Sequence, residues 1–425
     1  MKSKSQDFKV NLILVLIMFV HLSVKSQETI LLGSEIRPRT EFRNGYNKLF
    51  SENDEYAFHT SQRSRLFFEM KKDKWTVKLN AQDIRVWGAV PLQVESDSKM
   101  SMYEAWAKYN FSTKWSLLIG RQEISFDDER FLGSANWNQQ GRVHDGISMI
   151  FNDSLNKFHG FVGFNQNGIQ LSGTNYTVPN NYKAIQVLWY NRKFFNNELS
   201  LLGTNVGWQS PHSSTALRNM QTVGNHLILN PFSKLQMVQR FYYQFGKNSS
   251  FQDVSAYFVG LDIHYKISDN FKLMAGIETL SGNSELKTSS VNRAFNPLYG
   301  TNHRFNGIID YFYVGNHQNS VGLIDGNFGV QFSKSNHNLL LKTHLFSAVA
   351  DVANNDIVQQ KANPYLGTEL DLVYRYRISK EALLELGYAQ MFANKSMEYL
   401  KGGNHKLTQN WAYVMLTVNP SFLIK

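Results

Sequence analysis

From Gln27 onward, hydrophobic and polar residues alternate along the chain with a period of two rather than 3.6. In the segment from Leu32 to Arg43, one parity reads Gly33, Glu35, Arg37, Arg39, Glu41, Arg43. The other reads Leu32, Ser34, Ile36, Pro38, Thr40, Phe42. A strand sends alternate side chains to opposite faces, so one face here is charged and the other largely apolar. The pattern recurs. Tyr257, Val259, Leu261, Ile263 and Tyr265 share a face opposite Asp262 and His264. Leu366, Thr368, Leu370, Leu372, Tyr374, Tyr376 and Ile378 oppose Glu369, Asp371, Arg375 and Arg377. Tyr103, Ala105, Ala107, Tyr109 and Phe111 oppose Glu104, Trp106 and Lys108.

The apolar faces tend to end in Tyr or Trp, as in the aromatic girdles of membrane barrels. The opposite faces carry rows of full charges that a dry core could not accommodate without pairing. Both features predict an all-β fold: a single transmembrane antiparallel barrel with lipid outside and water inside. At about 9–11 residues per crossing, the chain accommodates about eighteen strands. They are expected to begin near Ile30, Tyr56, Trp75, Ser101, Lys114, Val143, Lys157, Tyr182, Glu198, Met220, Lys234, Asp253, Asn270, Ser320, Asn338, Tyr365, Glu381 and Gln409. Short links such as Lys71-Lys72-Asp73, Ser112-Thr113, Ser268-Asp269 and Ser379-Lys380 alternate with longer ones, including 126–142 and 284–319. Short periplasmic turns and long external loops follow this scheme. In the third strand Asp83 and Arg85 continue the apolar parity of Trp75, Val77, Leu79 and Ala81. A bulge is expected there to turn Ile84 and Val86 outward instead.

Composition sharpens the class. Only 18% of residues are charged, while 30 Phe, 20 Tyr and 8 Trp are present. Such a chain can bury enough surface to order itself. With 0 Cys, disulfides, thiolate metal ligands, a thiol nucleophile and a lipoprotein anchor are excluded. The one long apolar run, Leu12 to Val20, follows Lys2, Lys4 and Lys9 and precedes Val24-Lys25-Ser26. That pattern predicts a secretory signal peptide over residues 1–26, with the barrel occupying 27–425 and no plug domain before it. Removal of four lysines and one aspartate would lower the net charge from +10 to +7.

The first two strands are neighbours, which brings Arg37, Arg39, Arg43, Arg63 and Arg65 together on the inner face. Barrel closure adds Arg375 and Arg377 near the same arc. Guanidinium groups bind carboxylates bidentately and stay charged, so these residues are candidate pore-lining, anion-binding groups. Wall pairing with Glu35, Glu41, Glu69, Glu369 and Asp371 would also explain them. The loop after the fifth strand is dense in charges, amides and Trp and is expected to fold into or across the pore. Its Asp127, Asp128 and Glu129 lack the spaced ligands of a calcium loop. A second dense stretch carries His303, read as a loop histidine bonded to its neighbours rather than a base or ligand.

Gly120-Arg121-Gln122-Glu123, then Asp128-Glu129-Arg130, then Trp137-Asn138-Gln139-Gln140-Gly141-Arg142 resemble the alginate-export family of outer-membrane barrels. Pro297-Leu298-Tyr299-Gly300-Thr301-Asn302-His303 is similar to a later loop of that family. The resemblance implies a monomeric eighteen-stranded barrel in a Gram-negative outer membrane, a passive conduit with an electropositive constriction for an anionic polysaccharide. It adds Arg121, Arg130 and Arg142 as pore-facing candidates. The parity of Arg121 fits this only if its strand kinks. Expected partners are outer-membrane lipid, an anionic solute or polysaccharide, and periplasmic chaperones with the barrel-assembly machinery. No nucleic acid, cofactor or metal is expected. Other readings are a general anion-selective porin, a surface receptor or an outer-membrane enzyme, although neither Gly-x-Ser-x-Gly nor His-Glu-x-x-His occurs. The chain ends on Lys425 with Phe422 as the nearest aromatic, a departure from barrels that finish on an aromatic residue.

Overall fold

The computed structural model describes residues 28–93, 99–210, 213–317 and 319–424. The expected signal peptide lies outside them. Twenty β elements are present among the described residues. In chain order they are β1 (Thr29–Asn44), β2 (Ala57–Lys72), β3 (Trp75–Val86), β4 (Ser101–Asn110), β5 (Trp115–Gln122), β6 (His144–Asn152) and β7 (Asn156–Phe164). They continue with β8 (Ala184–Phe194), β9 (Asn197–Ser210), β10 (Ser213–Phe232), β11 (Leu235–Lys247), β12 (Asp253–Lys266) and β13 (Phe271–Leu280). The last are β14 (Val291–Asn292), β15 (Leu323–Lys334), β16 (His337–Ser347), β17 (Tyr365–Arg377), β18 (Ala382–Ala393), β19 (Gln409–Val418) and β20 (Ser421–Ile424). Each long strand pairs antiparallel with the next, and β1 pairs with β19 from Ile36↔Val418 to Asn44↔Asn410, closing an eighteen-stranded barrel. β20 continues the last strand beyond Pro420 and pairs with the start of β1. β14 is a two-residue ladder beside β12.

Expected and observed strand starts agree within three residues except at the tenth, which begins at Ser213 rather than Met220. There β9 and β10 continue their ladder well past the point where the outward apolar pattern fades.

Burial is inverted relative to a soluble protein. Leu66, Phe58, Leu188, Ile277, Phe328 and Leu345 are exposed, while Arg37, Glu41, Arg63, Glu369 and Asp371 are buried. This is the signature of an apolar outer face bathed in hydrocarbon. Aromatics gather toward the short-turn end, where Trp75 packs on Tyr109 and Trp115 on Phe151, with centroids 4.7 and 4.9 Å apart. The outer face is not wholly apolar. Asn225 donates to Gln239 at 2.7 Å, and a Gln186–Asn205–Gln221 amide ladder crosses β8, β9 and β10. Paired amides avoid the cost of leaving a polar group unsatisfied in lipid.

Two apolar-face expectations fail at bulges, where one extra residue reverses the facing of its neighbours. The β3–β4 register shifts between Asn80 and Ala81, and Tyr103 turns inward to 2% exposure. Leu366 turns inward at the β16–β17 shift, where Gly367 has φ +151°. The bulge expected in β3 is absent: β2–β3 register runs unbroken from Ser61↔Val86 to Lys72↔Trp75. Asp83 and Arg85 keep the outward parity and pair with each other at 2.6 Å.

Inner-face glycines let neighbouring rings lie flat on the wall. A Cβ on Gly387 would meet the Tyr413 ring at 1.9 Å. Tyr413 in turn donates to Glu385 at 2.7 Å. Gly387→Val should displace this ring and cost about 1–3 kcal/mol, as overpacking of a filled site does. Urea unfolding in detergent micelles would measure it, and an unchanged midpoint would show that Tyr413 has another resting place.

Candidate functional site

The inner wall and two external loops fill one half of the lumen. The 123–143 loop follows β5 and the 281–322 loop follows β13, and both turn inward. They dock on each other through a parallel Leu132↔Tyr299 bridge, Gly133 N donating to Tyr299 O at 2.9 Å, and Thr301 N donating to Glu129 O at 2.9 Å. Phe131, Leu132, Phe295, Leu298, Ile309 and Phe312 bury their side chains against inward Phe161, Val206, Phe258, Phe346 and Trp411. The expectation of a water-filled lumen therefore needs correction. The loop half is packed like a protein core, because apolar loop side chains meet apolar inward positions and the buried inward charges are paired or bonded to the loops.

The arginine stripe on β1 and β2 holds this plug. Arg37 donates to the carbonyls of Asn136 at 2.7 Å and Asn138 at 3.0 Å, and to Gln139 Oε1 at 3.0 Å. Arg63 pairs with Glu35 at 2.5 Å and reaches the carbonyls of Asn138 and Gln139 at 3.4 Å and Asn136 Oδ1 at 2.9 Å. Arg39 donates to Trp137 O at 2.8 Å, pairs with Glu41 and lies 4.2 Å over the Trp137 ring. Arg65 donates to Gln140 O at 3.1 Å and stacks 3.5 Å from Tyr103. Gln139 returns a bond to Ser61 Oγ at 3.0 Å. Arg37 and Arg63 are directly opposite in register. Like charges so placed repel, and Glu35 with a row of loop carbonyls offsets that repulsion. Arg43 stays near the loop end, paired with Glu41 and 4.1 Å over Tyr46.

The remaining arginine candidates separate into four environments. Arg130 and Arg142 serve loop packing. Arg130 pairs with Glu278 at 2.7 Å between the rings of Phe258 and Phe305. Arg142 donates to Gly300 O at 3.0 Å and Gly133 O at 3.3 Å. Arg121 does not face the pore. It keeps the outward parity of Trp115, Leu117 and Ile119 and pairs with Asp145 on β6 at 2.8 Å, because β5 runs in register with β6 through Gly120. Arg375 faces inward beside Glu385, whereas Arg377 is exposed at the short-turn end.

The three neighbouring carboxylates of the first loop diverge. Asp127 accepts from Trp189 Nε1 at 3.2 Å, Asp128 pairs with Arg240, and Glu129 accepts from Ser125 at 2.9 Å and from Thr301. No group of three His, Asp or Glu among the described residues is arranged to hold a metal. His303 bonds Asp310 at 2.9 Å and stacks on Trp137 with centroids 4.0 Å apart.

Below the loops, on the short-turn side, lies a cavity of about 850 Å³. Its roof includes Asp127, Asp128, Trp137 and His303 to Ile308, and its wall runs from β9 to β19 and on to Arg37 of β1. Most acids lining it have partners. Asp262 pairs with Arg240 at 2.7 Å, Asp325 and Asp371 flank His344 at 2.9 and 3.6 Å, and Glu385 meets Arg375. Lys272, Lys342 and Arg304 line the same space with no ion pair to a described residue. These three were missed from the sequence. Lys272 and Lys342 are each the only inward lysine or arginine of their strand, so neither formed a basic row to notice.

In the connection between β18 and β19, the short helix Lys395–Lys401 packs on the loop cluster, with Met397 buried in it. Lys401 donates to Asn316 O at 2.7 Å and lies 5.6 Å over the Phe312 ring. Burial lowers its ammonium to about 7. The folded state therefore releases a proton that the unfolded chain keeps up to about pH 10. Stability should rise between pH 7 and 10, by at most about 1.4 kcal/mol per pH unit, and stay flat below 7 where both states are charged. Micelle unfolding at several pH values would show the rise, and Lys401→Met should abolish it.

A closed eighteen-stranded barrel with an apolar exterior, inward loops and a polar chamber is a channel-forming barrel of the Gram-negative outer membrane. In sequence, the alginate-export family model matches residues 29–163, a segment that includes Gly120–Arg142. No curated protein matches the chain in sequence. Among solved structures it is similar to OccK1 (OpdK) of Pseudomonas aeruginosa, with a TM-score of 0.61 and 9% identity over 92% of this chain and 99% of that one. OccK3 (OpdO) of the same organism aligns with a TM-score of 0.60 and 12% identity over 92% and 96%. OccD3 (OpdP) aligns with 0.58 and 10% over 94% and 93%. At such identities the likeness concerns the fold.

Proposed function

We propose that this barrel is a passive diffusion channel for anionic solutes, including an acidic polysaccharide such as alginate, and that it is not an enzyme. The observation that carries this reading is the asymmetry of the chamber. Its acids are largely engaged by Arg, His or Trp, whereas Lys272, Lys342 and Arg304 present charges without carboxylate partners. Unpartnered cations on a wetted wall favour anion passage. The arginine stripe contributes to the field of the lumen while its hydrogen bonds are used by the loop. The family match agrees with a role in polysaccharide passage. On this reading residues 1–26 are a signal peptide, assembly uses periplasmic chaperones and the barrel-assembly machinery, and one chain makes one pore.

Planar-bilayer recording of the purified protein in a KCl gradient tests this reading. A reversal potential of the sign set by chloride is expected. A cation-selective channel would overturn the proposal.

A further inference from the structure

Glu369 and Asp371, the two inner-wall acids of β17, pair with no arginine or lysine among the described residues. They are 0% and 5% exposed. Directly across from them stand His344 and Lys342 on β16, and Met391 and Ala389 on β18. Glu369 Oε1 accepts from Ile309 N at 2.9 Å. Asp371 Oδ2 lies 3.6 Å from His344 Nε2, while Nδ1 of that ring is bonded to Asp325 at 2.9 Å. That leaves Glu369 Oε2 and Asp371 Oδ1, each buried and without a donor. The two carboxyl groups are in hydrogen-bonding contact with each other. Two carboxylates that share a dry site do not both ionise. One proton between them satisfies both orphan oxygens, which would otherwise each bear a full desolvation penalty.

We propose that Glu369 and Asp371 bind one proton between them, and that this proton latches the second loop over the chamber. Glu369 carries it, because Met391 and Ala389 flank it on β18, whereas Asp371 has the His344 imidazole near. Glu369 Oε2 donates to Asp371 Oδ1, and Oε1 accepts from Ile309. Gly307, at φ +81°, presses its backbone on the same carboxyl: a Cβ there would come 2.5 Å from Glu369 Cδ. Asn306 donates to Asp325 at 3.1 Å, so residues 306–309 rest on the acids of β15 and β17. Asp371 lines the chamber, and the proton leaves through it to the water there. Its loss sets two negative charges in one buried seat. The facing groups are His344 and Lys342 on β16, Asp325 on β15, and His303, Asp310 and Tyr311 on the loop, with none from β18. Repulsion parts the two carboxyls and lifts Gly307 and Ile309 from the wall, which opens the roof. The latch does not depend on which ion the channel carries.

The test combines infrared spectroscopy with single-channel recording on the purified protein. A neutral carboxyl has a carbonyl stretch separate from the carboxylate bands. Wild type should show one at neutral pH, and it should disappear as the pH is made alkaline. Glu369→Gln should lose that band, whereas Glu385→Gln, which removes an acid paired with Arg375, should keep it. In recordings, wild-type conductance should rise from neutral to alkaline pH. Glutamine offers Ile309 a carbonyl and Asp371 an N–H that does not ionise, so Glu369→Gln should hold the neutral-pH conductance throughout. Asp371→Asn removes one of the two like charges and should lose the alkaline rise as well. Lys401→Met, which removes a titrating contact elsewhere on this loop, should keep it. Heat-modifiable gel migration verifies that each variant is folded. Absence of the band in wild type, a band that survives Glu369→Gln, a wild-type conductance indifferent to pH, or an alkaline rise that persists in both Glu369→Gln and Asp371→Asn would each overturn the latch.

Discussion

Replacing Arg63 with methionine should loosen the 123–143 loop, raise single-channel conductance and destabilise the barrel, all in one variant. Arg63 is fully buried and pairs with Glu35, while its remaining donors reach carbonyls and a side chain of Asn136, Asn138 and Gln139. Methionine keeps the bulk but strands the Glu35 carboxylate and leaves the loop carbonyls without donors. Breaking a buried pair from one side costs about 3–5 kcal/mol. Conductance should rise because Trp137, which roofs the chamber, is positioned by the same loop. Adding Arg37→Met should enlarge the conductance effect, since Arg37 holds three neighbouring carbonyl or amide groups. Unfolding in micelles and bilayer recording give the two readouts. Lower stability with unchanged conductance would mean that the docking of Gly133, Thr301 and Arg142 on the second loop holds the plug without the stripe.

Leu261→Arg should be nearly as costly, for a different reason. Leu261 lies mid-strand on the outer face of β12, opposite Ile277, which is 53% exposed. Arginine at the bilayer midplane costs about 2–4 kcal/mol in a barrel. Folding yield into lipid vesicles and the urea midpoint should both fall. Gln331→Arg is the matched control: it places the same side chain on the wetted face of β15 and should leave folding nearly unchanged. Equal behaviour of the two variants would show that Leu261 does not meet hydrocarbon.

The barrel was legible in the sequence because each strand repeats one signal, an apolar parity against a polar one, that short windows preserve. Strand starts, the seam between first and last strands, and the long loops after β5 and β13 all follow from that alternation and from turn chemistry. Tyr103 and Leu366 escaped it because a bulge reverses parity without leaving a mark in composition. Arg121 shows the opposite case. Its outward parity was readable, and the structure keeps it, against the pore-facing role that the family resemblance implied.

What the sequence determined by itself, then, is the wall: strand number, which face meets lipid, and the gathering of Arg37, Arg39, Arg63 and Arg65 on neighbouring strands. The use of those arginines was decided only in three dimensions. Their loop partners lie about a hundred positions away in the chain for Arg37 and Arg39, and more than seventy for Arg63 and Arg65, and no local pattern encodes a hydrogen bond to a distant backbone carbonyl. The same holds for Lys272 and Lys342. Each is the only inward lysine or arginine of its own strand. Register across β13, β15 and β16 brings both to the wall of one cavity.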